Sequence, residues 1–152
     1  MPDRERPYVN GNFRVKIGDA SGETVSAGFK EVVLPEIATN VIEYRNGNEK
    51  ENRPRKITGS YSVGNVVLKR GLIGSDDLWR WFEQVRNGKQ AEALRDVVVE
   101  LLDESRENVV VSWVFTNARP VTYRFSDLQG EGTEVILEIV ELACEDLDMR
   151  FE

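Results

Sequence analysis

Thr133-Glu134-Val135-Ile136-Leu137-Glu138-Ile139-Val140-Glu141-Leu142-Ala143 is the stretch that decides the fold class. In an extended chain Val135, Leu137 and Ile139 fall on one face, and Ile136, Val140 and Leu142 on the other. A strand that is apolar on both faces is covered twice, by a core and by something else. The same period of two recurs upstream, where Phe13, Val15 and Ile17 alternate with Asn12, Arg14 and Lys16. Gly18-Asp19-Ala20-Ser21-Gly22 reads as a turn into a second strand over Thr24–Lys30. Further strands are expected over Ile37–Tyr44 (just after Pro35), Tyr61–Arg70, Val97–Leu102, Val109–Phe115 and Val121–Phe125. The expected class is mainly β, an antiparallel β-barrel or sandwich.

One segment breaks the alternation and supplies a flanking α-helix, Ser75 to Gly88. Ser75 is a suitable N-cap, Asp76 and Asp77 suit the first turn, and Gly88 is placed for a left-handed C-terminal residue. Leu78, Trp79, Phe82 and Val85 form one apolar stripe with Trp81 beside it. Leu78, Trp79, Phe82, Val85 and Trp113 are the expected core residues. The helix either plugs a barrel or covers a sheet face; a sharper alternative has Trp79 and Trp81 binding a ligand.

Arg45 to Thr58 is dense in charge, and Asn46-Gly47 favours a tight turn. Lying between two strong strands, it is either a solvated loop or the tip of an extended hairpin that orders against a neighbouring subunit. The chain is thus read as one domain over 1–152. Its parts are first strands over 12–44, a charged hairpin over 45–60, a strand over 61–71, the helix over 75–88, remaining strands over 94–144 and an acidic tail over 145–152.

The length of 152 residues fits one domain with its own core. Lys and Arg number 20 against 27 Asp and Glu, a net charge of −7, which argues against a general nucleic-acid binder. There is no histidine and a single cysteine, Cys144. That removes the commonest acid–base group, an intrachain disulfide and any cysteine-based zinc site. No apolar run is long enough for a membrane-spanning helix, and the first residues have no apolar signal-peptide core. No phosphate-binding glycine loop or nucleophile–base pair stands out. Glu145-Asp146-Leu147-Asp148 lacks the glycine and terminal glutamate of a calcium loop. No catalytic residue, cofactor or metal is expected.

The chain resembles the tail tube protein family of contractile phage tails and phage-tail-like contractile injection systems. Phe13-Arg14-Val15 with Ala27-Gly28-Phe29-Lys30-Glu31-Val32 is similar to the family's opening hairpin. Val41-Ile42-Glu43-Tyr44-Arg45-Asn46-Gly47 is similar to the strand entering its long hairpin. Val66-Val67-Leu68-Lys69-Arg70-Gly71-Leu72, Asp77-Leu78-Trp79-Arg80-Trp81-Phe82 and Trp113-Val114-Phe115-Thr116-Asn117-Ala118-Arg119-Pro120-Val121 follow in family order. The resemblance covers about Phe13 to Cys144. One departure is that Pro54 and Gly59 stand apart, where the family often joins proline and glycine in a turn.

The resemblance implies a structural subunit and not an enzyme. Six copies would form a ring, and rings would stack into a hollow tube. Sheath, baseplate and terminator or cap proteins would be partners. Tape-measure protein, DNA or protein effectors would occupy the lumen without stable nucleic-acid binding. Assembly would take place in the bacterial cytoplasm, and the product would be a virion tail or a released or anchored injection particle. Glu43, Tyr44, Arg45, Arg53, Arg55 and Lys56 are the candidate inter-ring hairpin residues. Lys69, Arg70 and Arg119 are candidates for inter-subunit ion pairs. The alternatives are a type VI secretion-like ring protein and effector carrier, or a monomeric ligand-binding β-barrel.

Overall fold

The computed structural model describes residues 6–18, 24–45, 47 and 54–152. Within them the order is β1 (Phe13–Gly18), β2 (Thr24–Ala27), β3 (Glu31–Val33), β4 (Ile37–Tyr44), β5 (Arg55–Val63), β6 (Val66–Gly71), α1 (Asp77–Arg86), β7 (Arg95–Leu102), β8 (Val109–Phe125), β9 (Leu137–Ala143) and β10 (Asp146–Phe151). All pairings are antiparallel, which bears out the mainly β class with one helix.

Two sheet regions share β8. Its first half lies between β7 and β10, and β1 and β2 continue beyond β7. Its second half pairs with β9, followed by β6 and β3. The transfer occurs at Asn117, which takes a left-handed φ of 51°. Asparagine accepts that conformation more readily than most residues. Its amide donates to Asp96 Oδ1 at 3.1 Å, and its side chain donates to Glu145 Oε2 at 2.8 Å. A register shift follows between Pro120 and Thr122, a place where a proline's missing N–H is tolerated. The two strands expected over Val109–Phe115 and Val121–Phe125 are therefore one bent strand.

Three other expectations change. The single strand over Tyr61–Arg70 is broken at Gly64 and Asn65 into β5 and β6. The two halves enter different sheets. The acidic tail over 145–152 is largely strand β10, because Leu147, Met149 and Phe151 alternate with its charges and pair along β8. The 133–143 strand starts at Leu137, and Val135 lies exposed before it.

The core is built from the inward residues of both sheets: Val15 and Ile17 of β1, Val97 and Val99 of β7, Phe115 and Ala118 of β8, Val66 and Leu68 of β6, and Val140 and Leu142 of β9. Helix α1 closes it with Leu78 and Trp81. Trp81 is 1 % exposed, and its indole N–H donates to the Ala93 carbonyl at 2.6 Å. Trp79, expected in the core, is instead 36 % exposed. The helix presents the row Leu78, Trp81 and Val85 inward, so Trp79 turns to the rim. There it meets Tyr123 at 5.6 Å, with Arg86 stacked over it at 5.0 Å. Val85 and Trp113 are half-buried against the core, and Phe82, also half-buried, lies beside Trp79 and Tyr123. The helix begins one residue after Asp76, not after Ser75, and the Asp76 carboxylate accepts from Arg80 at 2.8 Å. Gly88 has the left-handed φ of 82° that its place after the helix requires.

Candidate functional site

The feature least accounted for by the core is the β4–β5 ribbon. It is a two-stranded sheet of its own, and every described residue of β4 is exposed. The pairs Ile37↔Val63 and Thr39↔Tyr61 give way across a bulge to Val41↔Thr58, Ile42↔Ile57, Glu43↔Lys56 and Tyr44↔Arg55. Cross-strand partners share a face. Strict alternation along β4 would put Ile37 opposite to Ile42 and Tyr44. From Thr39 to Val41 β4 advances two residues while β5 advances three, Tyr61 to Thr58, so the extra residue lies in β5 and β4 keeps its alternation. One face of the ribbon therefore carries Ile42, Tyr44 and Ile57, while the other carries Ile37, Val41, Tyr61 and Val63 together with Glu43, Lys56 and Thr58. Gly59 lies under the Ile42 side chain, where a Cβ would come within 3.2 Å of Ile42 Cδ1.

The expected hairpin residues sit at the ribbon's outer end. Glu43 opposes Lys56, Tyr44 opposes Arg55, and Arg45 follows β4. Arg53 lies outside the described residues. The ribbon is longer than the 45–60 segment read from sequence, and its apolar shaft was missed. A charged tip is visible in the sequence, but the pairing that sets the two faces of the shaft is not. At the base, the Gly64 amide donates to the Glu36 carbonyl at 3.0 Å, and the Tyr61 hydroxyl donates to Asp146 Oδ1 at 3.1 Å. That hydrogen bond to the carboxylate raises the Tyr61 pKa.

Arg70, expected in an inter-subunit ion pair, is buried within the chain. The alternation of β6 turns it inward with Val66 and Leu68, and it is 2 % exposed. Its guanidinium bonds Glu138, its register partner on β9, at 3.2 Å, and Asp77 in the first turn of α1. It also lies 5.7 Å from the centre of the Phe29 ring. Burial alone would push the Asp77 carboxyl up, but Arg70 outweighs it and holds that group below its ordinary value. Tyr123 is pushed up to about 12 by burial and by Glu138. Lys69, on the other face of β6, reaches Glu31 across the β3 pairing at 3.5 Å. Arg119 is exposed on β8 opposite Ala143. On the outer face of the β1–β7 sheet, Glu100 holds Arg14 at 2.9 Å and Lys16 at 3.0 Å. Burial opposes the charge on Glu100, and these two cations lower its pKa in spite of it.

Among the described residues, the space beside the helix is small. Trp81 is sealed in the core, and the space bounded by Ile17, Asp77, Leu78, Trp81 and Arg95 is about 40 Å³, room for little more than water.

Comparison with known proteins gives a consistent result. The chain is similar to one in the cryo-EM structure of the anti-feeding prophage baseplate, with 24 % identity, a TM-score of 0.83 and coverage of 97 % of this chain and 98 % of that one. It is similar to one in the sheath–tube complex of PVC, an extracellular contractile injection system, in the extended state. There the identity is 20 %, the TM-score 0.83 and the coverage 97 % and 94 %. Hcp1 from Flavobacterium johnsoniae shares the fold at greater distance, with 14 % identity, a TM-score of 0.52 and coverage of 92 % and 95 %. No curated protein matches the sequence. The family model described as T4-like virus tail tube protein gp19 matches residues 9–148, from before β1 into β10. On that span, the chain belongs to the T4-like virus tail tube protein gp19 family.

Proposed function

We propose that the chain is the repeating subunit of the inner tube of a contractile phage tail or related injection particle. Six copies close a ring, and rings stack into a hollow tube that a sheath surrounds and drives through a target envelope. The lumen carries DNA or protein, with tape-measure protein as a further occupant. Baseplate and terminator or cap proteins end the tube. Assembly begins in the bacterial cytoplasm, and the role is structural, with no chemistry performed.

The observation that carries this is the ribbon. An isolated two-stranded hairpin is marginal in water, yet this one exposes Ile37, Val41, Ile42, Tyr44, Ile57 and Tyr61 over its two faces. Such faces are completed by another chain. The open sheet edges of β2, β3 and β10 are further places for subunits to meet. The type VI ring protein fits less well, since its relatives share only the more distant likeness. The ligand-binding barrel would need room beside the Trp79 and Trp81 helix, where the space among the described residues is about 40 Å³.

Negative-stain electron microscopy of the concentrated chain, with its mass in solution, tests the reading. Six-fold rings or hollow tubes are expected. A strict monomer, even with baseplate components present, overturns it.

A further inference from the structure

Among the described residues, the β4–β5 ribbon pairs with no strand of the larger sheet. Two short links join it to the body, residues 34–36 before β4 and 64–65 after β5. They are tied to each other where the Gly64 amide donates to the Glu36 carbonyl. A ribbon carried on two adjacent links is a lever, and its direction is set by contacts at its root. Two such contacts go to one place, the turn between β9 and β10. Cys144 Sγ lies 3.9 Å from the Gly64 carbonyl, and Asp146 Oδ1 accepts the Tyr61 hydroxyl at 3.1 Å.

That turn is itself fixed from behind. The Glu145 amide donates to the Thr116 carbonyl at 2.9 Å, and Glu145 Oε2 accepts from the Asn117 side chain at 2.8 Å. Asn117 is the left-handed residue at the β8 bend, and its own amide is held by Asp96 of β7. Hydrogen bonds and one short turn thus lead from Tyr61 in the ribbon to the bend that both sheet regions share.

We propose that the 144–146 turn is a seat that fixes the direction in which the ribbon leaves the body, with Tyr61 the positioning residue on the ribbon and Glu145 the positioning residue beneath it. The device belongs to a single copy and goes beyond the tube reading. A projection aimed in advance has less freedom to lose when a partner meets it. An exposed hydrogen bond contributes modestly, enough to bias a swing without holding the fold together.

Distances between two spin labels, measured by pulsed electron resonance at a dilution where light scattering gives a monomer, test it. The labels are placed by Lys56→Cys on the ribbon and Lys89→Cys just beyond α1, both exposed. A Cys144→Ser background leaves a hydroxyl facing Gly64. A single narrow distance is expected. Tyr61→Phe removes only the hydroxyl and is expected to broaden the distribution, lowering the ratio of seated to swung ribbon by about fivefold. Glu145→Ala leaves the Tyr61 and Asp146 side chains in place and is expected to broaden it likewise. Glu145→Gln, which keeps an acceptor for Asn117, is expected to stay narrow. Circular dichroism is expected to match the parent throughout. An unchanged distance in either broadening variant overturns the proposal, as does a distribution already broad in the parent. Should Glu145→Ala unfold, Tyr61→Phe decides alone. Rings formed by the parent chain keep the tube reading whichever way the distances fall.

Discussion

Arg70, Asp77 and Glu138 tie three elements together at one point. The guanidinium of β6 reaches β9 on one side and the first turn of α1 on the other. Removing one member of a buried pair leaves the other charged and unsolvated, at a cost of about 3–5 kcal/mol. Arg70→Met is expected to lower the melting temperature by roughly 10 °C, read by a thermal scan. The cluster also sets an acid response. Asp77 is held below its ordinary 3.8 in the fold, so as pH falls the unfolded chain takes up this proton first. Its contribution is complete above that ordinary value and lost as pH drops through the folded one. Asp77→Asn is expected to flatten this part of the stability profile, measured by urea melts at stepped acid pH. None of this network was legible in the sequence, where Lys69 and Arg70 look alike and only the face of β6 separates them. The two helix tryptophans make the same point. Trp81→Ala is expected to cost about 3–5 kcal/mol, and Trp79→Ala about 1 kcal/mol or less, by urea unfolding. Equal losses would contradict the exposure of Trp79.

At the scale of elements, the long strands and the capped helix were legible because period and caps are local signals. The junctions were not. Pro120 makes β8 look like two strands, whereas a bend at Asn117 and a register shift beyond it let one strand serve both sheets. Gly64 and Asn65 do the reverse, cutting one expected strand into a ribbon strand and a core strand. The bulge in β5 is the most consequential of these junctions, since it lets Ile57 share a face with Ile42 and Tyr44. Deleting Asn40 shifts the outer part of β4 by one residue and moves Ile42 and Tyr44 off the face that Ile57 occupies. The expected outcome is an intact monomer by circular dichroism and melting, with rings absent on the grid. Normal rings from this variant would show that the apolar face is not what the ribbon uses.

For the whole molecule, the sequence carried the class and the family likeness, but not the surfaces. Charge is the exception, being additive and readable without coordinates. Each ring of six would carry six times the chain's −7, and Arg14 and Lys16, cations of one outer sheet face, are already engaged by Glu100. Assembled tubes are therefore expected not to retain double-stranded DNA at low salt. Retarded DNA in a gel-shift assay with purified tubes would contradict this. A last consequence belongs to β8. Because one backbone runs through both sheets, a push on either is passed to the other along covalent bonds, not only through side-chain contacts. The two layers cannot slide past each other unless that strand tears from its ladders, where many hydrogen bonds must yield together. The subunit is thus braced against shear, the kind of load a column meets when it is thrust end-on through a barrier.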